Sequence, residues 1–375
     1  MSADLGSSPR RESPAACSVT VLAPLGDPEA RTDLERPEAA VLEIFDAVAR
    51  LARVEGRAPA QVLPVRRKAH NVPYGVRRRS LEMLDATTLE DVADALTDNA
   101  TRLVHAVGWE AGVVATAVRQ SHLSADGAAG SVVVFEPLGA PGTPEWILAE
   151  HASALVMQSP QHRLDALRNG VPAKLLHVLP PAAPRCPADP PNHPPTDRAP
   201  VIAVIGDGLI PVVLDVVERV LRASTDVHLV FAGAAGRDSR TRRFANALRS
   251  WPDAMSARVH ATATVTWPLL AKVDGVLDVA TAHTVPRAPL AAMAAGRAVL
   301  ALGDRPAAEL VRHGETGVCL SGHDPARLAA GLVGVLDDPA LLRRLGKAGR
   351  ARYLREHAPD VRARKLIEVY DSVTD

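Results

Sequence analysis

Residues 289–320 read PLAAMAAGRAVLALGDRPAAELVRHGETGVCL, and this stretch decides the fold class. Small and apolar residues run from Pro289 to Gly296, which predicts a helix closed by a C-terminal glycine. The apolar run Ala298–Ala301 follows at once and predicts a buried strand. Glu309 is predicted to open the next helix, where a carboxylate suits the positive end of the helix dipole. A helix, a strand and a helix in direct succession indicate a parallel α/β sheet.

The same alternation of strands and helices is found on both sides of this stretch. The remaining candidate strands are 17–23 (CSVTVLA), 101–106 (TRLVHA), 131–135 (SVVVF), 175–179 (LLHVL), 201–205 (VIAVI), 227–231 (VHLVF), 259–264 and 275–279. Helices are predicted between them, including one over 145–156, and the chain after Asp324 is predicted to be helical. Asp324-Pro325 and Asp338-Pro339 each place an N-cap acid before a proline that begins a helix.

A proline-rich segment divides the chain. Between Pro180 and Pro200 nine of 21 residues are proline, and such a segment forms neither a helix nor a central strand. We therefore predict a disordered tail over 1–16, a first α/β domain over 17–180, a linker over 181–200 and a second α/β domain over 201–360. Both domains are expected to be Rossmann-like and doubly wound.

Composition excludes several classes of partner. Of the 375 residues, 43 are Lys or Arg and 43 are Asp or Glu, so no charge excess suggests nucleic acid or an anionic membrane surface. Cys17, Cys186 and Cys319 are odd in number and far apart in sequence, which favours reduced thiols in a cytoplasmic protein. The first 16 residues lack the apolar core of a signal peptide, and no apolar run is long enough to span a bilayer.

Strong catalytic motifs are absent from the sequence. It contains no GxxxxGK[ST], HExxH or GxSxG motif and no Asp-x-Asp pair, so we expect neither a metal site nor a bound cofactor. Gly206-Asp207-Gly208 follows a predicted strand, and such a junction can present backbone N–H groups to a phosphate. Pro211 replaces the third glycine of a dinucleotide fingerprint, which makes a plain tight turn the stronger interpretation.

Taken in order, these features resemble a family 4 (group 1) glycosyltransferase of the GT-B fold. That family carries Glu-x7-Glu-Ala-Met-Ala-x-Gly-x-Pro-Val followed by Glu-x-Val-x-x-Gly-x-x-Gly. The chain has AMAAGRAV at 292–299 and ELVRHGETG at 309–317, and LVHAVGWEAGV at 103–113 is similar to the family's His-Ala-His-x-Trp-x-x-Gly turn. The resemblance extends to the C-terminal segment, where it implies that a helix within 361–375 returns to pack on the first domain.

The resemblance implies two Rossmann-like domains facing across a cleft and a specific reaction. A sugar would move from a UDP- or GDP-sugar donor to a hydroxyl of a small-molecule or glycan acceptor, with no required metal and with retention of anomeric configuration. The implied donor-binding positions are Gly206, Gly208, His283, Ala291, Gly296 and Glu309. The implied acceptor-side positions are His105, Trp109 and Glu136, and the candidates for a catalytic role are His283 and His105.

Several family residues are replaced in this chain. Ala291 stands where the family glutamate holds the ribose hydroxyls, and His283 stands where another glutamate lies near the donor sugar. Glu136 occupies the position of a sugar-side histidine. The phosphate-binding Arg and Lys expected after Gly206 are missing, and Arg297 and Arg305 are nearby candidates to replace them. The sequence therefore predicts a degenerate donor site.

Two functions remain open at this point. A hydrogen bond to a charged group contributes roughly 1.5–3 kcal/mol, so loss of the ribose carboxylate alone weakens nucleotide binding by about ten- to a hundred-fold. The first possibility is an active transferase with weak donor affinity. The second is a catalytically inactive homologue that acts as a binding or regulatory partner, in association with another glycosyltransferase.

Overall fold

The computed structural model describes residues 18–23, 38–55, 60–64, 82–83, 92, 96, 101–125, 132–138, 144–187, 198–206, 211–224, 226–232, 239–280, 285–302, 306–322 and 324–374. These residues form two parallel sheets flanked by helices. The predicted α/β class with two Rossmann-like domains is confirmed. The predicted tail over 1–16 lies outside the described residues, and the exact domain boundaries remain predictions.

The first sheet contains seven described strands in the order β3-β2-β1-β4-β5-β6-β7, and every neighbouring pair is parallel. The strands are β1 (Ser18–Ala23), β2 (Ala60–Pro64), β3 (Glu82–Met83), β4 (Thr101–Val107), β5 (Val132–Glu136), β6 (Ala154–Met157) and β7 (Leu176–Val178). Three α-helices are described in this half: α1 (Glu38–Val54), α2 (Gly108–Ala125) and α3 (Pro160–Arg168).

The second sheet contains six described strands in the order β10-β9-β8-β11-β12-β13, again all parallel. The strands are β8 (Val201–Ile205), β9 (His228–Ala232), β10 (Val259–Thr262), β11 (Gly275–Asp278), β12 (Ala298–Leu302) and β13 (Val318–Leu320). The helices are α4 (Pro211–Ala223), α5 (Ser239–Ser250), α6 (Asp253–Ser256), α7 (Trp267–Lys272), α8 (Arg287–Ala294), α9 (Pro306–Leu310), α10 (Pro325–Leu336), α11 (Pro339–Glu356) and α12 (Pro359–Thr374).

Local predictions are confirmed in part. The Asp324 carboxylate accepts a hydrogen bond from the Ala326 N–H and caps α10, and Asp338 caps α11 through the Leu341 N–H. The helix predicted over 145–156 is wrong: the chain forms a 3-10 helix over Pro144–His151 and then strand β6. Helix α9 begins before Glu309, so this residue lies near its end.

The last helix joins the core of the first domain. Its apolar face packs on α1, and five α12 residues share one buried cluster with the first sheet: Ala363, Leu366, Ile367, Val369 and Tyr370. The chain therefore crosses from the second domain back to the first after α11. This crossing places the end of α11 and the start of α12 beside the linker.

Three side chains from α11, its C-cap and α12 hold the linker by hydrogen bonds to backbone carbonyls. They are Tyr353, His357 and Arg362, and all three are buried. Their acceptors are the carbonyls of Ala183 and Pro184 for Tyr353, of Pro181 for His357, and of Leu179 and Pro180 for Arg362, at 2.6–3.1 Å. Because buried carbonyls need donors, these bonds fix the chain where it passes between the two sheets.

Candidate functional site

A cavity of about 680 Å³ lies between the two domains. The first domain contributes residues at or after the ends of β5, β6 and β7: Pro137, Leu138, several residues from Gln158 to Asp165, Val178, Pro180 and Pro181. The second domain and the crossing helices contribute Val285, Pro286, Glu309, Leu310, Arg352, Glu356, His357 and Lys365. Ligands of parallel α/β folds bind at the carboxyl ends of the strands, and this cavity lies there.

A buried ionic cluster lies beside this cavity at the end of β5. The Glu136 carboxylate is 2.8 Å from Nη2 of Arg362, and Gln158 donates to the same carboxylate oxygen from Nε2 at 2.5 Å. Burial by itself raises the pKa of Glu136, but the positive charge of Arg362 and the contact with His105 outweigh burial and lower this pKa below its usual value. Glu136 is therefore held ionised.

His105 belongs to the same cluster. The side chain is fully buried, its Nδ1 is 2.7 Å from the Tyr370 hydroxyl, and its Nε2 is 3.7 Å from Glu136. Burial lowers the pKa of His105 to about 4, despite the opposing effect of Glu136, so the imidazole is neutral at pH 7. The structure brings the predicted acceptor-side residues His105 and Glu136 together, but in the interior and not on an open surface.

The other predicted positions at the cleft are only partly described. Glu309 is exposed and lines the large cavity. Gly206 directly follows β8 with a φ of +108°, and an added Cβ there would overlap the backbone of Ala280. Trp109, in the first turn of α2, is 41% exposed. The predicted donor residues Gly208 and His283, and Arg305, lie outside the described residues.

Two predicted donor positions lie away from the cleft surface. Ala291 is 0% exposed and packs within an apolar cluster of the second domain. Gly296 precedes β12 and therefore lies at the amino edge of the sheet, opposite the cleft. It has a φ of +71°, and its carbonyl lies where a Cβ on Gly346 would be. The structure thus gives Gly296 a role in packing α8 and α11.

Arg297 was a candidate to replace the missing phosphate cations, and this prediction is wrong. The side chain is buried at the amino edge of the sheet, next to Gly296. Its guanidinium donates to the carbonyls of Leu270 and Ala271 at 2.8 and 3.0 Å, at the end of α7. A cation that satisfies helix carbonyls on the far edge cannot reach a ligand in the cleft.

Arg287 is a charged residue of the second domain that the sequence interpretation missed. It begins α8 and lines a cavity of about 20 Å³ together with Glu136, Gln158 and Arg362 of the buried cluster. Its charge also contributes to the lowered pKa of Glu136. The sequence prediction placed the start of the helix at Pro289, which left Arg287 in the preceding loop.

The described ranges contain neither a metal-binding cluster nor a helix that could span a membrane. Among these residues, no group of three or more His, Cys, Asp or Glu side chains could hold a metal ion. In the same part of the chain, no helix has the length and apolar character needed to cross a membrane.

Comparison with known proteins identifies the second domain most clearly. Residues 207–338, about a third of the chain, match the family described as "Glycosyl transferases group 1". A D-inositol 3-phosphate glycosyltransferase of Thermomonospora curvata is 43% identical over 65 residues, which cover 17% of this chain and 15% of that protein. The chain thus aligns with less than a fifth of its curated relative.

Solved structures match over nearly the whole chain. Sucrose-phosphate synthase of Thermosynechococcus elongatus superposes with a TM-score of 0.72 at 18% identity, covering 96% of this chain and 99% of that one. Anabaena HepE in complex with UDP and glucose gives a TM-score of 0.68 at 16% identity, with coverage of 95% and 100%. The fold is GT-B. The match over residues 207–338 supports the predicted glycosyltransferase, whereas family 4 membership and a degenerate donor motif remain predictions.

Proposed function

We propose that this protein transfers a sugar from a nucleoside-diphosphate sugar to a hydroxyl acceptor in the cleft between its two domains. The observation that carries the proposal is the group 1 glycosyltransferase match over residues 207–338. This match covers α8, α9 and the strands β11 and β12, and the residues that follow these strands form one wall of the 680 Å³ cavity. UDP is the nucleotide to test first, because the similar HepE structure contains it.

Charge stabilisation of the departing diphosphate is the main chemical demand of this reaction, since negative charge develops on the leaving group. Arg287 is suited to this role because it begins an eight-residue helix and comes from the second domain. The reaction we propose needs no metal and retains the anomeric configuration. Gly206 and Glu309, with Gly208 and His283 in the segments after β8 and β11, complete the proposed donor side.

The buried cluster has a supporting role in this proposal. Glu136 is held ionised between Arg362 and Gln158, and its neighbour Arg287 comes from the opposite domain. Attraction between the Glu136 carboxylate and Arg287 draws the two walls of the cleft together. The cluster therefore positions Arg287, while neither His105 nor Glu136 needs to contact the sugar.

A donor panel tests the proposed function. Purified protein is incubated with UDP- and GDP-sugars, and release of the nucleoside diphosphate is measured with and without EDTA. We expect slow turnover with one donor class and no effect of EDTA. Absence of release from every donor at millimolar concentration, together with absence of binding, would overturn the proposal.

Substitution of Arg287 is the sharper test of the mechanism. Arg287→Met should lower kcat/KM by about a hundred-fold, as expected when a group that stabilises transition-state charge is removed. Arg344→Met is the matched control, because this arginine is exposed on α11 and does not line the cleft. Equal activity of the two variants would exclude Arg287 from the reaction.

The second candidate is a catalytically inactive homologue that binds ligands or another glycosyltransferase. The packing of Ala291 favours it, because no carboxylate is present at this fully buried position to hold a ribose. Nucleotide binding without turnover of any donor would support this alternative. The cytoplasmic location also remains a prediction.

A further inference from the structure

Two residues that line the large cavity have buried hydrogen-bond acceptors that no described residue uses. Among the described residues, neither Oε1 of Gln158 nor Nε2 of His357 has a hydrogen-bond partner. Both side chains are more than nine-tenths buried, and both residues line the 680 Å³ cavity. A buried polar atom without a partner costs about 1–3 kcal/mol, so a ligand that supplied donors here would recover this free energy.

Both atoms are acceptors, which can be deduced from their bonded neighbours. The Nε2 of Gln158 donates to Glu136, which identifies Oε1 as the free carbonyl oxygen. The Nδ1 of His357 lies 2.9 Å from the carbonyl of Pro181, and a carbonyl can only accept. Nδ1 therefore carries the proton. Burial lowers the pKa of His357, so the ring is neutral and Nε2 has a lone pair to offer.

The charged groups of the cavity are largely paired within the protein. Glu356 pairs with Arg352 at 2.9 Å, and Asp165 pairs with Arg168 at 3.0 Å. The lining residues comprise three carboxylates and two cations, the latter being Arg352 and Lys365. Because this balance offers no excess positive charge, we expect the part of the cavity beside Gln158 and His357 to favour a neutral ligand over a phosphorylated one, with the donor diphosphate lying nearer to Arg287.

The remaining walls are apolar. Five prolines, three leucines and two valines line the cavity: Pro137, Pro160, Pro180, Pro181, Pro286, Leu138, Leu164, Leu310, Val178 and Val285. Its volume of about 680 Å³ is within the usual range for small-molecule sites. An occupant should therefore combine hydroxyl donors with an apolar portion.

We infer that this cavity binds a neutral, hydroxyl-bearing ligand with an apolar portion, such as an alkyl glycoside. Its hydroxyl groups would donate to Gln158 Oε1 and His357 Nε2 after a small rearrangement of the walls, and its apolar portion would lie on the proline and leucine surfaces. This inference rests on the proposed function, in which the ligand is the acceptor. It places the acceptor beside β6, β7 and α12, next to the implied residue Glu136, whereas His105 and Trp109 do not line this cavity.

The test uses hexyl β-D-glucopyranoside below its micelle concentration, with binding measured by ligand-observed NMR. Leu164→Trp fills the cavity from a position that is 45% exposed, so the variant should fold normally. Leu354→Trp is the matched control, because Leu354 is 53% exposed and does not line the cavity. We expect at least a ten-fold loss of affinity with the first substitution and none with the second.

Two further measurements identify the chemistry. Gln158→Met removes the acceptor and should weaken binding about ten-fold, with folding checked by circular dichroism. Glucose 6-phosphate should compete poorly. Equal binding by wild type and Leu164→Trp, or stronger binding of the phosphate ester, would overturn the inference.

The inference and the proposed function can fail separately. If UDP-glucose binds but the hexyl glucoside does not, the inference is wrong and sugar transfer stands. If the glucoside binds and no nucleotide sugar does, the ligand class is supported and sugar transfer is contradicted.

Discussion

The buried carboxylate of Glu136 shows how one residue can set the chemistry of its surroundings. It pairs with Arg362 and accepts a hydrogen bond from Gln158, while neutral His105 lies 3.7 Å away. Removing two charges from water is costly, and the cost is offset only where geometry and hydrogen bonds are favourable. Protonation of either Glu136 or His105 should therefore disturb the cluster.

The pH dependence of stability follows from His105. Its pKa in the folded state is about 4, below the usual value near 6.5, so the unfolded chain binds more protons between these values. Stability is thus lost as the pH falls through this window, by about 2 kcal/mol between pH 7 and pH 5. Protonation of Glu136 lowers the stability further at lower pH, because the pKa of this carboxyl is lower in the folded state than in the unfolded chain.

Urea unfolding of wild type and His105→Gln at pH 7 and pH 5 measures this contribution. Other histidines with lowered pKa, such as the half-buried His177 and the buried His357, act in both proteins and cancel in the comparison. The variant should lose less stability on acidification than wild type does. Equal losses of unfolding free energy in the two proteins would contradict this, because they would mean that His105 is already protonated at pH 5 in the folded wild type.

Ala291 provides a second test at the residue scale. It is fully buried among apolar side chains, so Ala291→Glu should destabilise the protein by both overpacking and charge burial. Ala291→Gln has nearly the same volume and isolates the charge. We expect the glutamate variant to unfold at lower urea concentration than the glutamine variant at pH 7. A glutamate variant as stable as wild type would show that this position opens to the cleft.

Sequence could identify residues of the cluster but not their partners. His105 and Glu136 were implied together by the family resemblance, and the structure places them on the neighbouring strands β4 and β5. Arg362 and Tyr370 are more than 200 residues away in the chain, and no local pattern pairs an arginine with a distant carboxylate. The burial of His105 and Glu136 was therefore not predicted, because it depends on helix α12, which returns from the end of the chain.

Helix α12 is the element that unites the two halves. Its apolar face packs on α1, and Arg362 connects it both to Glu136 and to the carbonyls of Leu179 and Pro180, just before the linker. Arg362→Met should cost about 3–5 kcal/mol, because it leaves a buried carboxylate unpaired. Arg364→Met, two residues along and exposed, should cost less than about 0.5 kcal/mol. Similar unfolding free energies for the two variants would contradict this account of α12.

Contact between α11 and the turn after α8 can be tested with paired glycine substitutions. A Cβ on Gly346 would overlap the carbonyl of Gly296, whereas a Cβ on Gly334 in α10 meets no atom within 4 Å among the described residues. Gly334→Ala should stabilise the protein by about 0.5–1 kcal/mol. Gly346→Ala should destabilise it despite the same gain in helix propensity. The measurement is the thermal unfolding of both variants. A Gly346→Ala variant that is more stable than wild type would refute the close contact between Gly346 and the Gly296 carbonyl.

Helices and strands were predicted correctly from the sequence where the apolar periodicity and the capping residues indicate the same element. The Asp-Pro starts of α10 and α11 and the strand β12 were predicted because each has a local physical cause. The helix predicted over 145–156 was wrong because a short apolar run does not distinguish a strand from a helix. The start of α8 was missed because Pro289 suggested the first helical residue, although the first turn of a helix tolerates proline at several positions.

The whole molecule consists of two sheets whose strand ends face a common cavity, with the crossing helices closing one side. Its fold matches GT-B structures over nearly the full chain. The glycosyltransferase sequence signal is concentrated in residues 207–338 of the second domain. The proposed function therefore requires above all that the cleft binds a nucleotide sugar.

Calorimetric titration of UDP-glucose and GDP-glucose into the full-length protein tests this claim most directly. The missing ribose carboxylate and phosphate cations predict a weak Kd, on the order of 10⁻⁴ to 10⁻³ M for the preferred nucleotide. Arg287→Met should weaken that binding further, and Arg344→Met should not. Binding of the preferred donor in this range supports the account. Absence of binding by either donor at about ten times that concentration would contradict it, and so would a sub-micromolar Kd, which would mean that the site uses contacts other than those assigned here.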